Sequence, residues 1–279
     1  AQVVVVEGEA GVGKSRLVDA FVDALRTLPA PAPVLRRTHC AANEERPYGA
    51  IARFFREGFD LAPDDGPGAI QSKVESGLAA LGAPAEEIEL VVLTAGILLG
   101  LPALAIAAQA EPERLRRQID AALRVVLERR LLQAPLVLVV EDVQWADAAS
   151  LAALATMADW LHDRPLLLLL SRRGGAEGAG FGAGRAAQQG IALAPLERAQ
   201  TEALLASYFG AAGLAWLPAA LRETLLERAG GNPYYLEALV RSLVEARVLI
   251  DEDGRWRCDE QASAADVPAT LEGLLLARL

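Results

Sequence analysis

Eight residues near the start of the chain limit its possible folds more strongly than any other segment: Gly8-Glu9-Ala10-Gly11-Val12-Gly13-Lys14-Ser15. They follow Val3 to Val6, a β-branched run typical of a strand that is buried on both faces. They lead into Ser15 to Leu28, where apolar residues recur at helical spacing. Glycine allows the backbone to curl so that its N–H groups point inward, and the start of a helix adds a positive dipole end. The segment therefore predicts an anion-binding turn between a buried strand and a helix.

The octapeptide matches the P-loop pattern G-x-x-x-x-G-K-[ST] without a mismatch. In that pattern the backbone N–H groups of the turn bind phosphate oxygens, and Lys14 reaches the β- and γ-phosphates. The hydroxyl of Ser15 ligates Mg²⁺. An ordinary glycine-rich turn is the alternative interpretation, but the strand before it and the helix after it are the context that the pattern requires. We therefore predict a nucleotide site that works with Mg²⁺.

A second apolar run, Leu136 to Val140, ends in two carboxylates, Glu141 and Asp142. In P-loop enzymes one acid at such a strand end belongs to the Mg²⁺ shell, and the second lies near the attacking water. We assign Glu141 to the metal side and Asp142 to the water side, although many such ATPases have Asp before Glu. The alternative is a solvated strand end without a chemical role.

Two arginines follow the next predicted strand, Leu166 to Leu170. A cation at this strand end could sense a γ-phosphate, and either Arg172 or Arg173 suits that task. A pair of solvated arginines is the alternative, and the sequence does not distinguish between the two residues.

A second glycine-containing turn, Gly230-Gly231-Asn232-Pro233, has a purely structural explanation. Glycine ends one helix, Asn232 caps the next, and Pro233 takes its first position. In the same way, Asp147 suits the N-cap of the helix that follows it.

The order of the predicted elements indicates an α/β fold with a parallel sheet. A helix over Ala148 to Leu161 connects the strands Leu136 to Val140 and Leu166 to Leu170. From Pro195 to Val248 only helices are predicted, which places a domain boundary near Pro195. After these helices, Asp253-Gly254 indicates a hairpin turn. The remaining expectations are strands at Val34 to Thr38 and Ile191 to Leu193, helices within 41–110 and from Pro112, and a flexible loop over Gly174 to Gly190.

Composition excludes some classes of function. The formal net charge is -10 and the pI is near 4.9, so the chain is a poor candidate for direct nucleic-acid binding, although a local basic patch would fit. Cys40 and Cys258 lie in no paired motif, which argues against a disulfide framework or a zinc site and favours the cytoplasm.

The segment Ile88 to Ala108 is long and very apolar, so a membrane span has to be weighed. Gly96, Gly100 and Pro102 interrupt the run, and no Lys or Arg follows it until Arg114. We therefore expect a pair of buried helices broken near Gly100, and no membrane association.

Three stretches together resemble the signal-transduction ATPases with numerous domains, the STAND class of P-loop proteins. Glu141 to Asp147 is similar to the family stretch EDLHWAD, and Gly231 to Glu237 is similar to GNPFFLEE. Val267 onward resembles IPDTLQGVLLARIDRL, a stretch from the ATPase domain of bacterial adenylate/guanylate cyclase proteins with tetratricopeptide tails. Related AAA ATPase domains also occur in large transcriptional regulators.

The resemblance implies a P-loop domain over 1–195, a helical lid domain over 196–248, and a truncated winged-helix unit over 249–279. It implies that ATP or ADP is the nucleotide, that Pro233 contacts the adenine region, and that Arg172 or Arg173 is the sensor. Gln144 stands where the family commonly has His, and the family stretch that precedes the first strand is absent. The ends of the chain look like those of a fragment, so any cyclase activity would belong elsewhere in a longer protein.

The favoured hypothesis is a slow, switch-like ATPase whose nucleotide state gates covalently linked effector and repeat domains, with nucleotide-dependent oligomers as a further expectation. Slow turnover fits Asp142, which is one methylene shorter than Glu. The alternatives are a nucleotide-binding scaffold without hydrolysis, a small-molecule kinase, and the ATPase domain of a transcriptional regulator.

Overall fold

The computed structural model describes residues 1–29, 31–42, 46–100, 112–174, 186–210, 213–252, 255–259 and 267. The chain divides into two compact units. The first unit comprises Ala1–Glu7 and Ser15–Ala192, and the second comprises Gly8–Lys14 and Leu193–Leu279. The phosphate-binding segment predicted from the sequence therefore clusters with the helical C-terminal region. The predicted boundaries at 195 and 248 stay predictions.

A five-stranded sheet with the order β2-β3-β4-β1-β5 forms the centre of the α/β fold, which confirms the predicted fold class. Its strands are β1 (Gln2–Gly8), β2 (Val34–His39), β3 (Leu136–Glu141), β4 (Leu166–Arg173) and β5 (Ala187–Leu193). The strand β3 is parallel to both β2 and β4, and its register places His39 level with Glu141. All six residues of β3 are buried, as expected for a central strand covered on both faces.

Helices cover the sheet of the first unit. They are α1 (Lys14–Arg26), α2 (Gly49–Gly58), α3 (Pro67–Ala80), α4 (Ala85–Leu98), α5 (Pro112–Leu131) and α6 (Ala148–Trp160). The helix α6 connects the parallel strands β3 and β4, so the predicted strand–helix–strand unit is confirmed. Fully buried side chains such as Phe55, Leu78, Leu127 and Leu168 fill the core, and each stabilises the fold by about 1.5–3 kcal/mol.

The second unit has its own core. Its helices are α7 (Arg198–Tyr208), α8 (Ala219–Ala229) and α9 (Pro233–Glu245), followed by the antiparallel hairpin β6 (Leu249–Glu252) and β7 (Arg255–Cys258). Leu249 of the hairpin belongs to the same buried cluster as Leu225 and Leu239 of the helices. Trp256 also packs edge-on against Phe209, with ring centroids 5.0 Å apart. The two strands of the predicted hairpin are present and share the core of the helices, whereas its predicted turn, residues 253–254, lies outside the described residues.

Two predicted segments are only partly matched by the structure: the loop over Gly174 to Gly190 and the apolar run over Ile88 to Ala108. The predicted loop over Gly174 to Gly190 extends too far, because β5 begins at Ala187, and residues 175–185 of that loop lie outside the described residues. Residues 187–190 are exposed on this outer strand of the sheet, where hydrogen bonding to β1 rather than burial holds the chain extended, so hydrophobic periodicity gives no signal. In the apolar segment, α4 ends at Leu98, and the expected second helix lies outside the described residues. Within the part of the chain that the structure describes, no helix is long and apolar enough to cross a membrane.

Candidate nucleotide-binding site

The backbone of the P-loop segment explains its three glycines. The strand β1 ends at Gly8 and α1 begins at Lys14. Gly11 and Gly13 have φ angles of 81° and 107°, which side chains of L-amino acids rarely adopt. A Cβ atom at Gly8 would lie 2.7 Å from the carbonyl oxygen of Leu193. Gly8 is therefore required by close packing, whereas Gly11 and Gly13 are required by backbone conformation.

Lys14 folds back over the turn that it follows. Its side-chain Nζ donates hydrogen bonds to the carbonyl oxygens of Gly8, at 2.9 Å, and Glu9, at 2.8 Å. The residue is only 9% exposed, and a buried ammonium is costly unless hydrogen bonds compensate it. The turn thus holds a positive charge next to the N-terminus of α1, an arrangement suited to a polyanion.

The turn also contacts the start of α9, which belongs to the same unit. Asn232 Nδ2 donates to the carbonyl oxygen of Ala10 at 2.8 Å. The backbone N–H of Tyr234 donates to the carbonyl oxygen of Gly11 at 3.3 Å. A Cβ at Gly11 would approach Asn232 Oδ1 to 2.5 Å, so the fit permits only glycine. Asn232 Oδ1 accepts from the backbone N–H of Tyr235, which confirms the predicted N-cap. The contact with Ala10 was not predicted.

Glu141, the acid assigned to the metal side, forms an ion pair that sequence reasoning missed. It is 8% exposed, and its Oε1 accepts from Nε and Nη2 of Arg37, both at 2.6 Å. The opposite side of the same guanidinium bonds Asp19 of α1 at 2.6 Å. The hydrogen bond to Glu141, followed by that to Asp19, raises the pKa of Arg37 above its ordinary value. No local pattern marks Arg37, because it lies 104 residues from Glu141.

Asp142, the acid assigned to the water side, leaves the strand with left-handed backbone angles, φ 56° and ψ 42°. This conformation costs a non-glycine residue on the order of 1 kcal/mol. Its backbone N–H donates to the hydroxyl of Ser171 at 3.1 Å, and its Oδ1 accepts from Gln144 Nε2 at 2.9 Å. These two contacts fix the backbone and the carboxylate separately.

The two candidate sensor arginines have different surroundings. Both Nε and Nη2 of Arg172 donate to Oε2 of Glu7, at 3.0 and 2.8 Å. Glu7 immediately precedes the P-loop, so this ion pair ties the end of β4 to the end of β1. The guanidinium of Arg173 lies over the ring of Trp145, 5.4 Å from its centroid.

Asp147 is the predicted N-cap of α6, and the structure confirms this assignment. Its carboxylate accepts from the backbone N–H of Ser150 at 2.8 Å. It also accepts from the backbone N–H groups of Tyr48 and Gly49 at the start of α2, at 2.9 and 3.0 Å. Asp147 therefore joins two helices, and its task is structural.

The two side chains assigned to the metal supply oxygen atoms, the type of ligand that Mg²⁺ prefers. Ser15 supplies a hydroxyl and Glu141 a carboxylate. Among the described residues, no group of three or more His, Cys, Asp or Glu side chains is arranged to hold a metal. Mg²⁺ that binds with a nucleotide keeps several waters and is held chiefly by phosphates and one or two protein groups. One oxygen of Glu141 is engaged by Arg37, which limits its availability.

The strand–turn–helix geometry of residues 8–15 and the acidic end of β3 define a P-loop ATPase-like α/β domain. The sequence also matches the family model of the AAA ATPase domain over residues 1–170, more than half of the chain. The chain therefore belongs to the AAA ATPase domain family, and it is a nucleotide-binding ATPase module.

Nearly the whole of this chain matches part of an uncharacterized protein of Rhizobium meliloti (strain 1021). It is 27% identical, and the alignment covers 99% of this chain and 26% of that protein. The chain thus spans about a quarter of the length of this relative.

Among solved structures, the Aeropyrum pernix ORC2 protein, solved as ADPNP-ADP complexes, has the same fold with a TM-score of 0.50. It is 13% identical, and the match covers 95% of this chain and 61% of that one. The STAND protein PH0952 from Pyrococcus horikoshii, which has a tetratricopeptide repeat sensor, matches with a TM-score of 0.40. That match is 13% identical and covers 86% of this chain and 28% of that one.

Proposed function

We propose that this chain is an ATP-binding, slowly hydrolysing switch module of a larger protein. The observation that carries the proposal is the P-loop turn, in which Gly11 and Gly13 adopt the required backbone angles and Lys14 folds back over the turn. The backbone N–H groups of residues 8–14 bind the phosphates. Lys14 exchanges its bonds to the carbonyls of Gly8 and Glu9 for the more strongly charged oxygens of the β- and γ-phosphates.

The other residues have narrower tasks. Ser15 and Glu141 would hold Mg²⁺, and a bound Mg²⁺ would neutralise charge on the phosphates. Asp142 orients the attacking water, and an arginine at the end of β4 senses the γ-phosphate. Of the two candidates, Arg172 is already paired with Glu7, so we favour Arg173 as the sensor and Arg172 as a support for β1. Pro233, the first residue of α9, contacts the adenine region.

The switch part of the proposal rests on Asn232. It connects the carbonyl of Ala10, within the phosphate-binding turn, to the N-cap of α9. A phosphate that changes the conformation of the turn therefore acts on the start of α9 without an intermediate element. An effector domain elsewhere in a longer cytoplasmic protein would read this change.

A nucleotide-binding module without hydrolysis is the second candidate function. It is favoured by the ion pair between Arg37 and Glu141, because a carboxylate held by a guanidinium is less available to a metal ion. Phosphate release from ATP distinguishes the two candidates.

The test measures phosphate release by the wild type, Lys14→Ala and Asp142→Asn. A slow switch predicts turnover well below the median of about 10 per second for enzymes, abolished in both variants. ADP found in near-stoichiometric amount after denaturing the purified protein would support a closed resting state. Turnover that is equal in all three proteins would eliminate the hydrolytic proposal.

A further inference from the structure

Gln144 makes two hydrogen bonds in opposite directions. Its Nε2 donates to Oδ1 of Asp142 at 2.9 Å, and its Oε1 accepts from the backbone N–H of Arg173 at 3.1 Å. The first bond reaches the acid assigned to the attacking water. The second reaches the end of β4, where the candidate sensors lie. A single amide thus connects the acid with the sensor strand.

The chemistry of the two partners fixes the orientation of this amide. A backbone N–H can only donate, so the oxygen of Gln144 has to face Arg173. An ionised Asp142 can only accept, so the nitrogen has to face Asp142. A carboxylate at position 144 would satisfy the Arg173 backbone but would repel Asp142. Only a side chain with one donor and one acceptor at its tip meets both requirements.

Asp142 depends on such a partner more than an ordinary strand residue does. Its left-handed backbone turns the chain out of β3, so strand geometry no longer sets the direction of its side chain. The bond to Ser171 holds only the backbone of Asp142. Gln144 itself lies in a 3₁₀ turn, Val143–Trp145, and Trp145 packs against the guanidinium of Arg173. The turn is therefore attached to β4 at two points.

We infer that Gln144 is a positioning residue for ATP hydrolysis, a conclusion that rests on the proposed function. It orients the carboxylate of Asp142 toward the attacking water. Because it also bonds Arg173, this orientation depends on the position of the end of β4. A displacement of β4 by a sensed phosphate reaches Asp142 through the amide of Gln144. In this role Gln144 acts on Asp142 and not on the phosphates, so it affects turnover and leaves nucleotide affinity unchanged.

The decisive variant is Gln144→Glu, which keeps the size of the side chain and the acceptor for the Arg173 N–H. It loses the donor to Asp142, a hydrogen bond to a charged group, and we expect kcat to fall roughly ten- to hundredfold. The KM for ATP and the Kd for ADP stay within about twofold of the wild type, since no phosphate contact is removed. Gln133→Glu, which adds the same charge at an exposed position, is the matched control and leaves all three constants unchanged.

A reciprocal variant tests the hydrogen bond itself. Asp142→Asn combined with Gln144→Glu reverses the polarity of the pair, because the amide introduced at position 142 then donates to the carboxylate introduced at position 144. The thermal midpoint, lowered in Gln144→Glu, returns toward that of the wild type, while hydrolysis stays absent. This variant tests the hydrogen bond separately from turnover, and a midpoint that stays as low as in Gln144→Glu would overturn the inference.

The outcomes are distinguishable. If the wild type hydrolyses ATP and kcat is unchanged in Gln144→Glu, the inference is overturned and the proposed function stays intact. An equal loss of kcat and of ADP affinity would also overturn it, because that pattern reports general damage. Wild-type protein that binds ADP but never hydrolyses ATP would remove the proposed hydrolysis and the inference together.

Discussion

The two hydrogen bonds of the Asn232 side chain can be removed one at a time. Oδ1 caps α9 through the backbone N–H of Tyr235, at 3.2 Å, and Nδ2 bonds the carbonyl of Ala10 at 2.8 Å. Loss of an N-cap costs about 1 kcal/mol, and a net hydrogen bond contributes about the same. We therefore expect Asn232→Ala to lower the free energy of unfolding by about 2 kcal/mol. Asn232→Ser keeps a capping oxygen but cannot reach Ala10, so it should lose only about 1 kcal/mol.

Nucleotide affinity should respond differently from stability. Both variants remove the hydrogen bond from Asn232 to Ala10 and keep the one from the Tyr234 N–H to Gly11, so both should bind ADP more weakly by the same factor. A net hydrogen bond of about 1 kcal/mol corresponds to roughly a fivefold change in Kd. Urea unfolding monitored by circular dichroism measures the stabilities, and calorimetric titration with ADP measures the affinities. Wild-type ADP affinity in both variants would refute the argument that Asn232 couples the turn to α9.

Three further predictions concern charged side chains. Arg37→Gln leaves the buried carboxylate of Glu141 without its guanidinium and should lower the free energy of unfolding by about 2 kcal/mol, measured by urea unfolding at neutral pH. Arg172→Gln should lower the thermal midpoint because Glu7 loses its partner, whereas Arg173→Gln should lower ATP turnover with a smaller change of midpoint, since it removes only the packing on Trp145. Glu57→Gln should stabilise the fold at pH 7, because burial raises the pKa of Glu57 above its ordinary value.

Each of these predictions has a built-in control. The folded-state pKa of Glu57 is raised, so ionisation opposes folding above that pKa and has no effect below about 4.5, where both states are protonated. The stabilisation by Glu57→Gln should therefore vanish near pH 4, and a gain that is constant with pH would contradict the argument. Arg172→Gln and Arg173→Gln make the same chemical change at adjacent positions, so identical effects would show that their surroundings do not matter. For Arg37→Gln, unaltered stability would mean that Glu141 is solvated without its partner.

The local parts of the site were predictable from sequence. The glycines, Lys14 and the start of α1 lie within one short segment, and the conformation of that segment depends on its own backbone angles. The buried strands β3 and β4 were predictable for the same reason, since continuous apolar runs report burial on both faces. The N-caps Asp147 and Asn232 follow from short-range hydrogen-bonding preferences.

The contacts that connect these parts were not predictable. The pairs Glu7–Arg172 and Ala10–Asn232 are separated by 165 and 222 residues, and no single-sequence pattern links them. Gln144 illustrates a different limit. It lies two residues from Asp142, but its importance depends on the left-handed backbone of Asp142 and on the approach of Arg173 in the folded chain. Sequence alone registered Gln144 only as a departure from a family pattern.

The central claim is that residues 8–15 bind the phosphates of ATP, and calorimetric titration of ATP into the wild type and Lys14→Ala tests it most directly. We predict saturable one-to-one binding of ATP by the wild type. We also predict affinity at least about tenfold weaker in Lys14→Ala, because a charge-assisted hydrogen bond to phosphate is lost. Equal affinity in the two proteins, with the variant folded as shown by its circular dichroism, would contradict the assignment of the site.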